Sequence, residues 1–207
     1  ENNVIDDEIA FEYLIIATGR RHKMLGLEGE SDLFGKGLST CALCDGNFYK
    51  GKRVLVVGGG SSALSECLYL SNICEEVILI HRKNYFRGEE YLERKVKEKD
   101  NINIIYNANI IKYNTLGGKL VSVTLDDDQE IKTDGVFLAI GHIPNSELFD
   151  VNKDAGYIIV NDRYETSIEN VYAIGDVIKK DIYQLVTASN DGVVVAFEIM
   201  EKLKQEK

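Results

Sequence analysis

The chain has 207 residues, 44% of them hydrophobic and 28% charged, with a single proline, a composition that describes a folded chain able to bury a core and excludes a disordered or fibrous one. Its 24 Lys and Arg against 34 Asp and Glu leave a net charge of −10, which argues against general binding to nucleic acid or anionic lipid. No run approaches the roughly 18–20 apolar residues of a membrane span, and four unevenly spaced cysteines do not make a secreted disulfide scaffold, so the reading is a cytoplasmic protein without membrane or nucleic-acid partners.

In chain order, "FEYLIIA" at 11–17 is an apolar run closed by Thr18-Gly19 and predicts a buried strand ending in a turn. Residues 20–40 are mixed and glycine-bearing and read as a connecting segment. "RVLVV" at 53–57 predicts a β-branched strand that runs into "GGGSSALSECLYLSNI", where Ala63, Leu64, Cys67, Leu68 and Leu70 suit one buried helix face. A second parallel strand, "VILI" at 77–80, and a charged helix over about 86–99 follow.

Residues 103–140 read as short alternating strands, a meander added to the parallel sheet, with turns at Leu116-Gly117-Gly118 and Asp126-Asp127-Asp128. "GHIPN" at 141–145 interrupts the pattern at the only proline. A strand in "NVYAIGD" at 170–176 and a final helix from about Gln184 to Lys204 complete the chain. Because "FEYLIIATG" and "VYAIGD" share a form, the two ends are expected to build one domain into which the middle is inserted.

Gly58, Gly60 and Ala63 form G-x-G-x-x-A between a strand and a helix. The first glycine permits the turn, the second admits a pyrophosphate to the backbone, and the small third residue lets helix and strand pack closely. At the exit of the next strand, "HRKNYFR" puts Arg82, Lys83 and Arg87 where an NAD fold carries an acidic residue for the ribose hydroxyl; basic groups there suit the 2′-phosphate of NADP. A solvated basic helix face is the plainer explanation of the same charges, and His81 by itself reads as structural.

"CALCDG" at 41–46 contains two cysteines two residues apart. Zinc wants four ligands, and neither Cys67 and Cys74, read as small core residues of the helix, nor the scattered His22, His81 and His142 supply the other two, so no metal is expected. A disulfide across so short a loop restricts the unfolded chain little. Thiol–disulfide exchange is what this spacing does well, and Asp45 is either an acid/base group for it or a turn residue before Gly46. NADPH is inefficient at giving hydride to a disulfide, so a flavin is implied between them.

Taken together, "IIATG", "CALCDGNFY", "VVGGGSSALSECLYLSNI", "LIHRKNYFR", "AIGHIPN" and "AIGDV" resemble the low-molecular-weight thioredoxin reductases along nearly the whole chain. The resemblance implies an α/β fold of two dinucleotide-binding, Rossmann-like domains of the pyridine nucleotide-disulfide oxidoreductase type, with an NADP-binding domain at 24–141 inserted into an FAD-binding domain formed by 1–23 and 142–207. It implies a thioredoxin reductase in which electrons pass from NADPH to FAD to Cys41/Cys44 to thioredoxin or a similar disulfide protein. Cys44 would face the flavin, Cys41 would attack the acceptor and Asp45 would be the general acid/base.

By the same resemblance Gly58, Gly60, Ser61, Ser62, Ala63, His81, Arg82, Lys83 and Arg87 would hold NADPH. Thr18, Gly19, Gly141, Gly175, Asp176, Val177, Gln184 and Leu185 would serve cofactor binding, with Asp176 on the flavin ribityl chain and Gln184 and Leu185 against its ring. A homodimer is implied too, and the segments near 19–23 and 141–145 would be hinges. Two other readings stay open: a redox-inert NADPH-binding module, and a related flavin disulfide reductase with a different acceptor.

Four departures accompany the resemblance, the least of them Glu28, which falls where proline is frequent. No glycine turn for the FAD pyrophosphate precedes "FEYLIIATG", so the chain reads as the C-terminal two thirds of a reductase, holding flavin weakly and with its own activity in question. Lys83 stands where a second arginine is common, keeping charge but losing the two-pronged geometry, and Tyr183 replaces a commonly basic residue.

Overall fold

The computed structural model describes residues 4, 5 and 9–205. The chain begins with β1 (Val4–Ile5), β2 (Ile9–Ala10), β3 (Leu14–Ile16) and β4 (Arg20–His22). It divides into two compact units, an outer one made of Glu1–Arg21 with His142–Lys207 and an inner one of His22–Gly141.

The inner unit is built on a parallel sheet in the order β5-β12-β6-β7-β8. Its elements are β5 (Leu38–Ser39), α1 (Ala42–Asp45), β6 (Arg53–Gly58), α2 (Ser61–Ser71), β7 (Glu76–His81), α3 (Glu90–Lys97), β8 (Ile102–Tyr106), β9 (Ile110–Leu116), β10 (Lys119–Leu125), β11 (Glu130–Lys132) and β12 (Gly135–Ala139). A parallel sheet covered on both faces needs apolar side chains pointing both ways, and this is why "VLVV" and "VILI" are unbroken. On one face Val54, Val56, Val77, Leu79 and Phe137 pack with Ala63, Leu64, Cys67 and Leu70 of α2. On the other Leu55, Val57, Ile78, Ile80 and Leu138 meet Ile110, Tyr113, Val123 and Leu125 of the meander. Each fully buried aliphatic contributes about 1.5–3 kcal/mol.

Four expectations change here. The segment 20–40 is not merely a connection, since it supplies β4 and the edge strand β5, which pairs with β12 through Leu38 and Ser39; two residues are too few to carry a period. β8 belongs to the parallel sheet beside β7, and the antiparallel β9, β10 and β11 form a separate sheet covering one of its faces. α3 begins at Glu90, later than its charge pattern suggests, because Phe86 is drawn into the core and a Cβ on Gly88 would come within 2.8 Å of the Ser61 nitrogen. Cys74 lies beyond the end of α2 and is nonetheless buried.

The outer unit continues with β13 (His142–Pro144), β14 (Lys153–Asp154), β15 (Tyr157–Ile158), β16 (Val171–Ala173) and α4 (Leu185–Gln205). β16 runs parallel to β3, Val171 opposite Leu14 and Ala173 opposite Ile16. Ile16, Ile158, Val171, Ala173, Val177 and Ile178 form its core. β3 is shorter than "FEYLIIA" and not buried throughout, since Ile15 is 41% exposed. Asp191 and Val195 are the buried residues of α4, whereas Leu185, Val186 and Phe197 are exposed.

Candidate functional site

The glycine turn lies at the carboxyl end of β6, between the strands that lead outward on either side, which is where open parallel sheets bind ligands. A Cβ on Gly58, at φ +154°, would meet the Ala139 oxygen at 2.4 Å and the Ala63 Cβ at 2.8 Å, so Gly58 and Ala63 lock strand to helix. Around Gly60 there is open space, with no atom of the described residues within 4 Å of a built Cβ. Gly60 caps α2 without a side-chain cap bond, leaving first-turn N–H groups facing that space. The residues therefore fit a dinucleotide pyrophosphate: tight where packing demands it and open where the ligand must approach.

The loop after β7 folds back onto this turn. Arg87 N–H donates to the Gly59 carbonyl at 2.7 Å, and Glu89 N–H donates to Ser61 Oγ at 3.1 Å. Arg82 and Arg87 are exposed and Lys83 half-buried; Ser62 is exposed. His81 is 5% exposed, its ring lies where a Gly59 side chain would go, and its Nε2 is 3.0 Å from the Tyr85 carbonyl. Burial holds His81 below the ordinary histidine range, and the nearby Arg87, Arg82 and Lys83 add to this. His81 is thus the floor of the glycine turn.

In the same unit Cys41 and Cys44 are joined by a disulfide, with S–S 2.12 Å. Cys41 caps α1 and its sulfur accepts the Cys44 N–H at 3.2 Å. Cys44 is exposed and Cys41 half-buried. Ser39 Oγ donates to Asp45 Oδ2 at 2.6 Å and accepts Cys41 N–H at 3.1 Å, so one buried serine ties the aspartate to the first cysteine. The other two thiols contrast with this pair: burial pushes Cys67 well above the thiol range, and burial with Asp134 takes Cys74 up to about 11. Thiols held protonated in this way are poor nucleophiles.

The outer-unit candidates converge through the β3–β16 pairing. Ile174 N–H donates to the Ile16 carbonyl at 2.9 Å, which brings Thr18 and Gly19 to the side of Gly175, Asp176 and Val177. Asn145 holds the first two, accepting from Thr18 Oγ1 at 2.5 Å through its carbonyl and donating to the Gly19 carbonyl at 2.9 Å. Gly19 has φ +66° with no described atom within 4 Å of a built Cβ; Gly141, at φ +98°, is the last residue of the inner unit and not one of this set. Asp176 pairs with Arg20 at 3.1 Å, and the Arg20 guanidinium lies 3.9 Å over the Tyr183 ring. Val177 is buried, while Gln184 and Leu185 are exposed at the start of α4. Thr18, Gln184 and Leu185 are exposed, Asp176 is half-buried, and Gly175 and Val177 are buried, so the set combines polar groups at the surface with a buried turn beneath them.

Several structural features are invisible to sequence reasoning. Asp191 is buried, pairs with Lys180, and accepts Gly175 N–H at 2.8 Å; it fixes the turn that presents Asp176. Glu66 on α2 has a buried Oε2 without a hydrogen-bond partner among the described residues, and burial pushes its carboxyl up to about 7. Ser39 and Arg20 join them. The only local hint was a serine two residues before Cys41.

A model of the pyridine nucleotide-disulphide oxidoreductases matches residues 1–192. The chain is 38% identical over 200 residues to the thioredoxin reductase of Bacillus subtilis, covering 93% of this chain and 63% of that protein. Against the thioredoxin reductase of Vibrio cholerae it is 41% identical over 206 residues, covering 92% and 65%. The chain therefore spans slightly less than two thirds of the length of these relatives. It superposes on the crystal structure of Lactococcus lactis thioredoxin reductase in the FR conformation with a TM-score of 0.79 at 33% identity, covering 95% of this chain and 67% of that one. For the T. acidophilum thioredoxin reductase the TM-score is 0.76 at 36% identity, with 93% and 66% covered.

Proposed function

The chain belongs to the pyridine nucleotide-disulphide oxidoreductase family, and from that premise we propose that it acts in an NADPH-dependent thioredoxin reductase, passing electrons from NADPH through FAD to the Cys41–Cys44 disulfide and on to thioredoxin or a similar protein disulfide. The observation that carries this reading is that an accessible bridged cysteine pair shares one compact unit with an open dinucleotide cradle. On this reading the inner unit is the NADP domain and the outer unit belongs to the FAD domain of a cytoplasmic homodimer.

Gly58, Gly60, Ser61, Ser62 and Ala63 would hold the NADPH pyrophosphate, with Arg82, Lys83 and Arg87 on its 2′-phosphate. Thr18, Gly19, Gly175, Asp176, Val177, Gln184 and Leu185 would hold FAD. When bound, the two groups supply a hydride and its conversion to an electron pair suited to a disulfide.

The reduced cysteine pair does the rest. Cys41 thiolate attacks one sulfur of the acceptor disulfide, forming a mixed disulfide and releasing the other acceptor sulfur as thiolate. Cys44 thiolate then attacks the Cys41 sulfur, restoring the Cys41–Cys44 bond and releasing the second acceptor thiolate, so two electrons leave the pair. The Cys44 N–H directed at the Cys41 sulfur favours charge there, because a hydrogen bond to the ionised form stabilises it. Asp45, oriented by Ser39, takes up and returns the proton. The test is to incubate the chain with NADPH, with and without FAD, then alkylate and locate free thiols by mass spectrometry. Labelling of Cys41 and Cys44 only when both are present is expected; nucleotide binding with the disulfide intact in every condition would leave a redox-inert nucleotide-binding module.

A further inference from the structure

The loop between β7 and α3 contains an aromatic side chain, Tyr85, that has been given no role so far. Tyr85 is 53% exposed, yet its backbone is pinned on both sides. Its carbonyl is 3.0 Å from His81 Nε2, and the next residue, Phe86, is buried against His81 and Tyr106. Arg87 N–H is fixed to the Gly59 carbonyl. An aromatic ring is therefore held at the surface on a rigid backbone, beside a turn whose Gly60 faces open space.

What the ring meets is Lys83. The Lys83 ammonium donates to Tyr85 Oη at 3.0 Å. A phenolic oxygen that accepts from an ammonium retains its own O–H for donation. The two side chains thus offer donors from adjacent atoms, Nζ and Oη. A lone lysine is a point charge that binds phosphate without direction, whereas an arginine offers parallel donors in fixed geometry. Lys83 also draws Tyr85 below the ordinary tyrosine range, which makes the phenol a better donor.

We propose that Lys83 and Tyr85 act together as a two-donor clamp for the phosphate on the adenosine ribose of NADP(H), with Tyr85 a specificity-determining residue. The proposal rests on the NADPH reading above and is tested without flavin or activity. Binding of adenosine 2′,5′-bisphosphate and of AMP, which differ only in the 2′-phosphate, is measured by calorimetry on the full chain. Tyr85→Phe, which removes one exposed oxygen, weakens the bisphosphate about tenfold and leaves AMP unchanged. Lys83→Met combined with Tyr85→Phe costs less than the two single losses together, since each disables the same clamp. If the wild-type chain prefers the bisphosphate and Tyr85→Phe binds it as tightly, the clamp is refuted and the NADPH reading stands. If the wild-type chain shows no preference, both fall.

Discussion

The inner and outer units solve the problem of presenting a ligand surface in different ways. In the inner unit the sheet is covered on both faces, and the candidate site is an open notch in a closed core, formed by a turn and the loop after the neighbouring strand. In the outer unit the candidate residues sit on a small core, and α4 presents Leu185 at 85% and Val186 at 74% exposure. One site depends on backbone geometry within a few residues of a strand end; the other depends on an ion pair, Lys180 with Asp191, that ties the turn to the helix following it. A site of the first kind is insensitive to distant substitutions, and one of the second kind is not.

The largest expected effect lies in the inner unit's chemistry. In a complete reductase of the proposed kind that carries this sequence, Cys41→Ser is expected to eliminate reduction of the acceptor disulfide while NADPH-driven bleaching of flavin persists; stopped-flow absorbance that shows both lost would reverse the roles proposed for the two sulfurs. Next comes the outer unit's anchor. Asp191→Ala removes the buried acceptor of the Gly175 N–H and leaves the partly buried Lys180 without its partner, a loss of about 2–4 kcal/mol, and calorimetry should show the outer unit destabilised while adenosine 2′,5′-bisphosphate still binds. An equal fall in nucleotide affinity would erase the distinction between the units.

Two glycines of one turn divide stability from binding. Gly58→Ala forces a Cβ against Ala139 and Ala63 and costs about 1–3 kcal/mol as overpacking does. Gly60→Val fills open space, so stability falls only by a weaker helix cap, about 0.5–1 kcal/mol, while NADP(H) affinity falls about tenfold or more, equivalent to about 1.4 kcal/mol. The smallest effect concerns Glu66. Its folded carboxyl titrates at about 7 against an ordinary 4.5, so in that window the folded chain keeps a proton that the unfolded chain gives up, and stability falls as pH rises through it. Glu66→Gln should flatten that fall, raising Tm at pH 8 and leaving it unchanged at pH 4; the same slope in the variant would assign the pH dependence elsewhere.

Much of the inner unit was legible because its signals are local. "VLVV" and "VILI" are apolar on consecutive residues because both sheet faces are covered, and Gly58 and Ala63 pack as their spacing demands. β5 was hidden because two residues owe their strand state to β12, almost a hundred positions later. The start of α3 was misread since the fate of Phe86 and Gly88 depends on packing against other elements. At the site, Asp45 was visible as a candidate, but Ser39, which orients it, was not. Arg20 beside Asp176 and the unpartnered oxygen of Glu66 are products of chain crossings that no window of sequence contains.

Taken alone, the sequence determined those features that sterics impose between near neighbours: a strand that must end in glycine before a helix, basic groups at the next strand's exit, and two cysteines close enough to bridge. Only the tertiary structure decided which distant groups meet, placing β12 between β5 and β6, β16 against β3, His81 under Gly59 and Lys180 against Asp191. Those pairings follow from burying apolar faces and satisfying the polar groups trapped with them, and both depend on the whole fold being closed.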